Sequence, residues 1–199
     1  MIQIHYAVFY IAAFLLLVMP LEWLIAAIWA SAVHELFHIL CVWVLNGCIH
    51  KVKVMPEGCS IETDALEEWK QMLSILAGPI GSLSLVLLRH EAPKIAVCGL
   101  IQGVHNLLPV LPLDGGRLLR LLLFRFCPKQ ADHVLNYVAV MTCSVINILA
   151  IWLCGKKVIG VWLLPYVLFW NIKLLKEKFL ANNRKSGYNR YKIFDEVTL

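Results

Sequence analysis

Residues 21–45 read LEWLIAAIWASAVHELFHILCVWVL, an almost continuously apolar stretch that is long enough to cross a bilayer as a helix. Within it lies the pentapeptide His34-Glu35-Leu36-Phe37-His38, which has the pattern HExxH. Histidines at positions i and i+4 share one face of a helix, about one turn apart. Neutral imidazoles suit Zn²⁺, and the intervening glutamate is placed to act as a general base on a metal-bound water. The stretch therefore predicts zinc-dependent hydrolysis inside a membrane; the alternative is two buried histidines bonded to neighbouring helices.

The composition indicates a membrane protein. Of the 199 residues, 60% are hydrophobic and 16% are charged, whereas a soluble domain is nearer half apolar and a quarter charged. We predict an all-α polytopic membrane protein with about six transmembrane helices, at Tyr6–Val18, Leu21–Leu45, Trp69–Leu88, Ile95–Leu111, Val134–Leu153 and Val158–Leu174. A shorter apolar patch at Leu118–Phe126 contains two arginines and is interpreted as interfacial or re-entrant.

The placement of basic residues predicts the orientation in the cell membrane. Seven of the 18 lysines and arginines lie in or after the end of the last predicted span. The positive-inside rule then places both termini in the cytoplasm. We divide the chain into an intramembrane domain, 1–175, and a basic cytoplasmic tail, 176–199. The tail is expected to attract anionic lipid of the bilayer and not nucleic acid.

A catalytic zinc site needs a third ligand and an open position for water. From the residues alone the candidates are Asp114, His105, His50, Cys41 and His133. Asp114 is the best placed of these, because prolines interrupt the apolar segment before it and Gly115-Gly116 follow it. Broken backbone at membrane depth is tolerated where it is buried in protein or lines a cavity. The alternative is an ordinary interfacial turn, for which Asp-Gly is common.

Two strings taken together resemble the site-2 protease family of intramembrane zinc metalloproteases. The first is the HExxH pentapeptide, and the second is NLLPVLPLDGGR at residues 106–117, which has the form NxxPxxPLDGGR. The sequence is most similar to the branch that contains the stage IV sporulation FB protease. The resemblance covers about residues 21–117 and implies six helices with both ends in the cytoplasm.

The resemblance also implies roles for single residues. It makes His34, His38 and Asp114 the metal ligands of a Zn²⁺ cofactor, and Glu35 the catalytic acid and base. It assigns Asn106 to holding the substrate near the metal, and it assigns to the substrate-binding region the two prolines that present the aspartate, Pro109 and Pro112.

Two positions depart from the family pattern. Ala77-Gly78-Pro79 resembles the family's AGP element, but Ser82 stands where an asparagine often follows. Phe37 stands where glycine is frequent, and its ring is expected to narrow access for a substrate. The small residues Gly78 and Gly81 are equally well explained by close packing between helices.

A transmembrane substrate must unwind before its backbone can be cut, so the proposed chemistry needs an edge on which an extended peptide can dock. Residues 49–63 alternate apolar and polar side chains around Pro56-Glu57-Gly58, which favours a short hairpin that dips into the membrane. A solvated loop is the alternative.

The expected partners are a transmembrane or membrane-associated protein substrate, such as a pro-sigma or anti-sigma factor, and regulatory membrane proteins. The competing function is a catalytically inactive membrane-binding homologue, or a zinc transporter or sensor. An inactive homologue is expected to have lost a residue of the motif, and a transporter is expected to distribute polar residues along several spans. Neither pattern is present in this sequence.

Overall fold

The computed structural model describes residues 2–4, 6, 10, 15–17, 19–55, 58–63 and 66–156. Five α-helices and a small sheet form this part of the chain. The helices are α1 (Leu21–Val44), α2 (Glu68–Ser84), α3 (Pro93–Asn106), α4 (Asp114–Phe126) and α5 (Ala131–Gly155), and a 3₁₀ turn at Leu85–Leu88 extends α2.

The first helix begins and ends where the sequence contains its strongest local signals. Pro20 precedes α1, and its carbonyl accepts from the N–H of Trp23 at 3.0 Å. At the other end, Asn46 adopts the left-handed conformation with φ of 59°. The N–H of Gly47 donates to the carbonyl of Val42 at 2.9 Å, and that of Asn46 donates to Trp43 at 3.1 Å. These two bonds form a Schellman motif, which stops the helix immediately before the first strand of the hairpin.

Three helical segments of the described chain are long and apolar enough to cross a membrane: Leu21–Val44, Glu68–Leu88 and Ala131–Leu153. They coincide with the second, third and fifth predicted spans. The predicted fourth span is shorter than expected, because α3 ends at Asn106 and turns follow as far as Leu113. The first predicted span lies largely outside the described residues, and the last span and the basic tail lie wholly outside them.

The predicted hairpin is present. Strand β2 (Ile49–Met55) pairs antiparallel with β3 (Gly58–Thr63), with Val52 opposite Ile61. A further strand, β1 (Ile2–Ile4), lies parallel to β2 on its other edge, so the sheet order is β1-β2-β3. The fold is therefore nearly all-helical with one small sheet. Strand β1 was not predicted, because three residues are too few to show a periodic pattern.

Helices α1, α2 and α3 pack against one another, α4 packs against α2, and α5 packs against α4. Large apolar side chains such as Ile28, Trp29 and Ile148 are exposed on the outer faces of α1 and α5. Polar side chains are instead buried between helices, and they include His34, His38, Gln71, Ser74, Ser82 and Asp114. This arrangement, with an apolar outside and a polar centre, suits a bundle surrounded by lipid.

Candidate metal centre

Helix α1 directs two imidazoles to one buried point. His34 and His38 are each 3% exposed, and their Nε2 atoms lie 3.2 Å apart. The two rings stand nearly perpendicular, with an interplanar angle of 84°. The separation of four residues predicted this shared face, and the structure shows that both rings point inward and not towards lipid.

Asp114 approaches the same point from the first residue of α4. Its Oδ2 lies 3.1 Å from His34 Nε2 and 3.3 Å from His38 Nε2. Its other oxygen, Oδ1, lies 3.8 Å from an Nη atom of Arg117, one turn further along α4. The carboxylate also benefits from its position at a helix N-terminus, where the helix dipole favours negative charge.

These three side chains form a group that could hold a metal ion. Among the described residues, His105, Cys41 and His133 belong to no such group. The side chain of His50 lies outside the described part of the structure. The geometry therefore favours Asp114 over the alternatives for the third ligand that the sequence left open.

The donor chemistry of the site suits a cation. His38 Nδ1 lies 2.7 Å from the carbonyl oxygen of Ser74, which can only accept, so Nδ1 carries the proton and the neutral ring has a lone pair on Nε2. Asp114 Oδ2 is buried and has no hydrogen-bond partner among the described residues. Lone pairs that face one another in a buried space repel unless a positive charge lies between them.

The aspartate reaches this position because the backbone before it folds back tightly on the start of α4. A Cβ at Gly115 would lie 2.1 Å from the carbonyl oxygen of Leu107, and one at Gly116 would lie 2.4 Å from the carbonyl carbon of Val110. Both contacts are with backbone, which cannot move aside cheaply. The two glycines following Asp114 are thus required for close approach within a helix, and the alternative of an ordinary Asp-Gly turn is wrong.

Helix α2 closes the other side of the centre by means of small residues. A Cβ at Gly78 would lie 2.1 Å from His38 Nε2. One at Gly81 would lie 2.4 Å from Cγ of Phe37. Gly78 therefore serves both the packing of α2 and the metal centre, because the absence of a side chain leaves room for the imidazole of His38.

The bulky Phe37 has a specific place in this arrangement. Its half-buried ring occupies the space that the absent side chain of Gly81 leaves on α2. The ring therefore packs between α1 and α2, and the narrowing of access by this ring stays a prediction.

Two outer hydrogen bonds were missed by sequence reasoning. His34 Nδ1 lies 2.8 Å from Ser82 Oγ, and His38 Nδ1 is held by the backbone of Ser74. The departure at Ser82 was visible in the sequence and could have suggested the first bond. A backbone carbonyl has no side-chain signal, so the second could not have been found that way.

Comparisons with known proteins agree with this geometry. Residues 64–146 match the family model described as Peptidase family M50. The chain carries a peptidase family M50 region. It is also similar to "Stage IV sporulation protein FB" of Bacillus subtilis (strain 168), with 30% identity over 151 residues, which are 68% of this chain and 52% of that protein. The chain thus spans about half the length of this curated relative.

The fold is similar to that of the "Site-2 Protease from Methanocaldococcus jannaschii". The two structures align with a TM-score of 0.61 over 88% of this chain and 89% of that chain, at 19% sequence identity. The resemblance to site-2 proteases, which the two motifs suggested, is confirmed, and so is the predicted membrane fold class. The M50 match includes Asp114 but begins after the HExxH pentapeptide, so the two motifs are independent signals.

The remaining predicted residues lie on α1, at the end of α3 and in the turns before α4. Glu35 follows His34 on α1 and is half-buried. Asn106 is the last residue of α3, and its Nδ2 donates to the carbonyl of Gln102 at 3.2 Å. Pro109 and Pro112 lie in the turns before α4, and the Leu111–Pro112 peptide bond is cis. Their roles in catalysis and substrate binding stay predictions.

Proposed function

We propose that this protein is a zinc-dependent intramembrane endopeptidase of the site-2 protease type, with His34, His38 and Asp114 as the metal ligands. The observation that carries the proposal is the spacing of the three donor atoms, at 3.1, 3.2 and 3.3 Å from one another. Tetrahedral zinc with bond lengths near 2.0–2.1 Å separates its ligands by about 3.3 Å. Three ligands at this spacing leave a fourth position for water, as in catalytic sites.

A zinc ion bound there would polarise a carbonyl oxygen and lower the pKa of a bound water. Glu35 is the proposed general base, which accepts a proton from the attacking water and later delivers it to the amine that leaves. Its place next to His34 on α1 supports this assignment. The hydrogen bonds to Ser82 and Ser74 hold the two imidazoles in orientation, and burial among α1, α2 and α4 restricts bulk water.

The substrate is proposed to be a transmembrane or membrane-associated protein. The apolar outer faces of the helices suit contact with a substrate in the bilayer, and the sheet offers it a docking edge. In the described part of the chain, β2 is paired on both edges, so the outer edge of β3 or β1 would add the substrate strand. Asn106, Pro109 and Pro112 are proposed to contact the unwound peptide.

The similarity to the sporulation protein supports a pro-sigma factor as the substrate, with an anti-sigma factor as the related choice, and regulatory membrane proteins as further partners. The predicted cytoplasmic position of both termini agrees with such a substrate. These assignments follow from the resemblance and the distribution of basic residues.

The zinc content of the detergent-purified protein tests the proposal. We expect about one zinc per chain in the wild type, and loss or sharp weakening in both His34→Ala and Asp114→Ala. Absence of zinc from wild-type protein that has not been exposed to chelator would contradict the proposal. Loss with His34→Ala but full occupancy in Asp114→Ala would remove Asp114 from the ligand set.

A further inference from the structure

The two imidazoles of the metal centre are held by chemically different partners. His38 Nδ1 faces the backbone carbonyl of Ser74 at 2.7 Å, and His34 Nδ1 faces the side-chain hydroxyl of Ser82 at 2.8 Å. Ser74 and Ser82 lie on the same helix, α2, and both are completely buried. The first partner is a property of the backbone, whereas the second depends on the identity of one side chain.

This difference determines whether the hydrogen-bond partner alone fixes the nitrogen that carries the proton. A carbonyl only accepts, so the neutral His38 keeps its proton on Nδ1. A hydroxyl both donates and accepts, so Ser82 is compatible with either tautomer of His34. With Nδ1 of His34 protonated, Nε2 offers a lone pair to a metal, and the hydroxyl accepts. With Nε2 protonated, that N–H can donate to Asp114 Oδ2, which lies 3.1 Å away.

We propose that Ser82 is a positioning residue of the metal centre: its buried hydroxyl accepts the Nδ1 proton of His34 and so orients Nε2 towards the metal. The inference rests on the proposed metal site. Outer-shell partners of this kind orient the ring and raise the basicity of the ligand. The Ser82 hydroxyl would accept the Nδ1 proton of His34, as the carbonyl oxygen of Ser74 accepts that of His38.

Ser74 supplies a matched control. Its hydroxyl is buried and has no hydrogen-bond partner in the described part of the chain, and only its carbonyl contacts His38. Like Ser82→Ala, the change Ser74→Ala removes a buried hydroxyl from α2. It retains the backbone carbonyl that contacts His38. Ser82→Ala removes the group that faces His34.

The experiment measures zinc affinity of the full-length chain in detergent by competition with a chelator. For Ser82→Ala we expect weakening of about 10- to 100-fold relative to wild type, which is the usual effect of losing an outer-shell partner. For Ser74→Ala we expect affinity within about twofold of wild type, since its carbonyl is unchanged. Equal affinities in wild type and Ser82→Ala would overturn the inference, and so would equal losses in both variants.

A spectroscopic readout on wild-type protein covers the case in which Ser82→Ala does not fold. Nitrogen-15 imidazole spectra of the zinc-loaded protein, assigned with His34→Ala, should show the His34 proton on Nδ1 in a hydrogen bond. A proton on Nε2, with Nδ1 bound to the metal, would overturn the inference. The failure of the proposed function is a separate outcome, because in that case the wild-type protein itself would bind no zinc.

Discussion

The metal centre and the three-stranded sheet are specified in opposite ways. At the centre, nearly every position is constrained by a side chain or by the absence of one: a Cβ at Gly78 would overlap His38, and one at Gly115 would overlap the backbone of Leu107. The sheet is specified by backbone pairing, in which residues such as Lys53 and Ser60 are matched by register. Chemistry that needs fixed distances is thus built from helices, while the region proposed to receive a variable peptide uses main-chain bonds that any sequence can form.

The largest effect is expected from Glu35→Gln, because it removes the proposed base without altering the ligands. Activity should fall by about 10²- to 10⁴-fold, the usual contribution of a general acid or base, while zinc content stays at the wild-type level. Sequencing of the new protein N-termini in membranes from cells that express the wild-type protein identifies the cleaved bonds. The rate of cleavage at one of these bonds is then measured for wild type and Glu35→Gln. Cleavage that survives in Glu35→Gln would remove this residue from the mechanism.

Gly78→Ala tests whether the centre is specified by an absent side chain. The added methyl group would lie 2.1 Å from His38 Nε2. Overpacking of this kind costs about 1–3 kcal/mol, so we expect a lower thermal midpoint and weaker zinc binding. The control is Gly155→Ala at the end of α5, where nothing lies within 4 Å of the new Cβ. Equal midpoints and equal zinc affinities in Gly78→Ala and wild type would show that α2 can shift away from His38.

Gly81 and Phe37 provide a second test of packing against an absent side chain, one turn along α2 from Gly78. Gly81→Ala should destabilise the protein, because its Cβ would lie 2.4 Å from the Phe37 ring. Phe37→Ala should relieve that overlap, so the double variant is expected to be more stable than the two single effects predict, by at least about 0.5 kcal/mol. Thermal unfolding of the four proteins completes the cycle. Strict additivity would mean that the ring does not occupy this space.

The smallest effect is expected from a change in the sheet. Ser60→Pro removes a backbone donor from β3, and if the substrate adds to this edge and not to β1, its binding should weaken by about 1 kcal/mol, roughly fivefold. Zinc affinity should not change, because the three proposed ligands lie on α1 and α4. Ser60→Thr, which favours strands, is the control and should resemble the wild type. A loss of zinc in Ser60→Pro would contradict the separation of the two regions.

Much of this architecture could be predicted from the sequence, because long apolar stretches and helical spacing are local signals. Helix α1 and the shared face of its histidines are examples. The break that presents Asp114 was also visible in the prolines and glycines around it. The exact end of α3 at Asn106 was not, since Leu107 and Leu108 before the first proline are apolar and favour a longer helix.

The parts that could not be predicted depend on contacts between distant residues. The contact between Phe37 and Gly81, the hydrogen bond between His34 and Ser82 and the strand β1 all join segments that are far apart in the chain. Local propensity contains no information about such partners. The packing of the Phe37 ring could not be predicted for this reason, because the glycine that accommodates it lies on another helix.

The Schellman motif that ends α1 also sets a length. His38 lies eight residues before Asn46, which corresponds to about 12 Å along the helix axis. An extended peptide covers this distance in about four residues, at roughly 3.3 Å each. For the proposed endopeptidase, a substrate segment unwound alongside α1 would therefore need about four residues to run from the metal centre to the end of that helix.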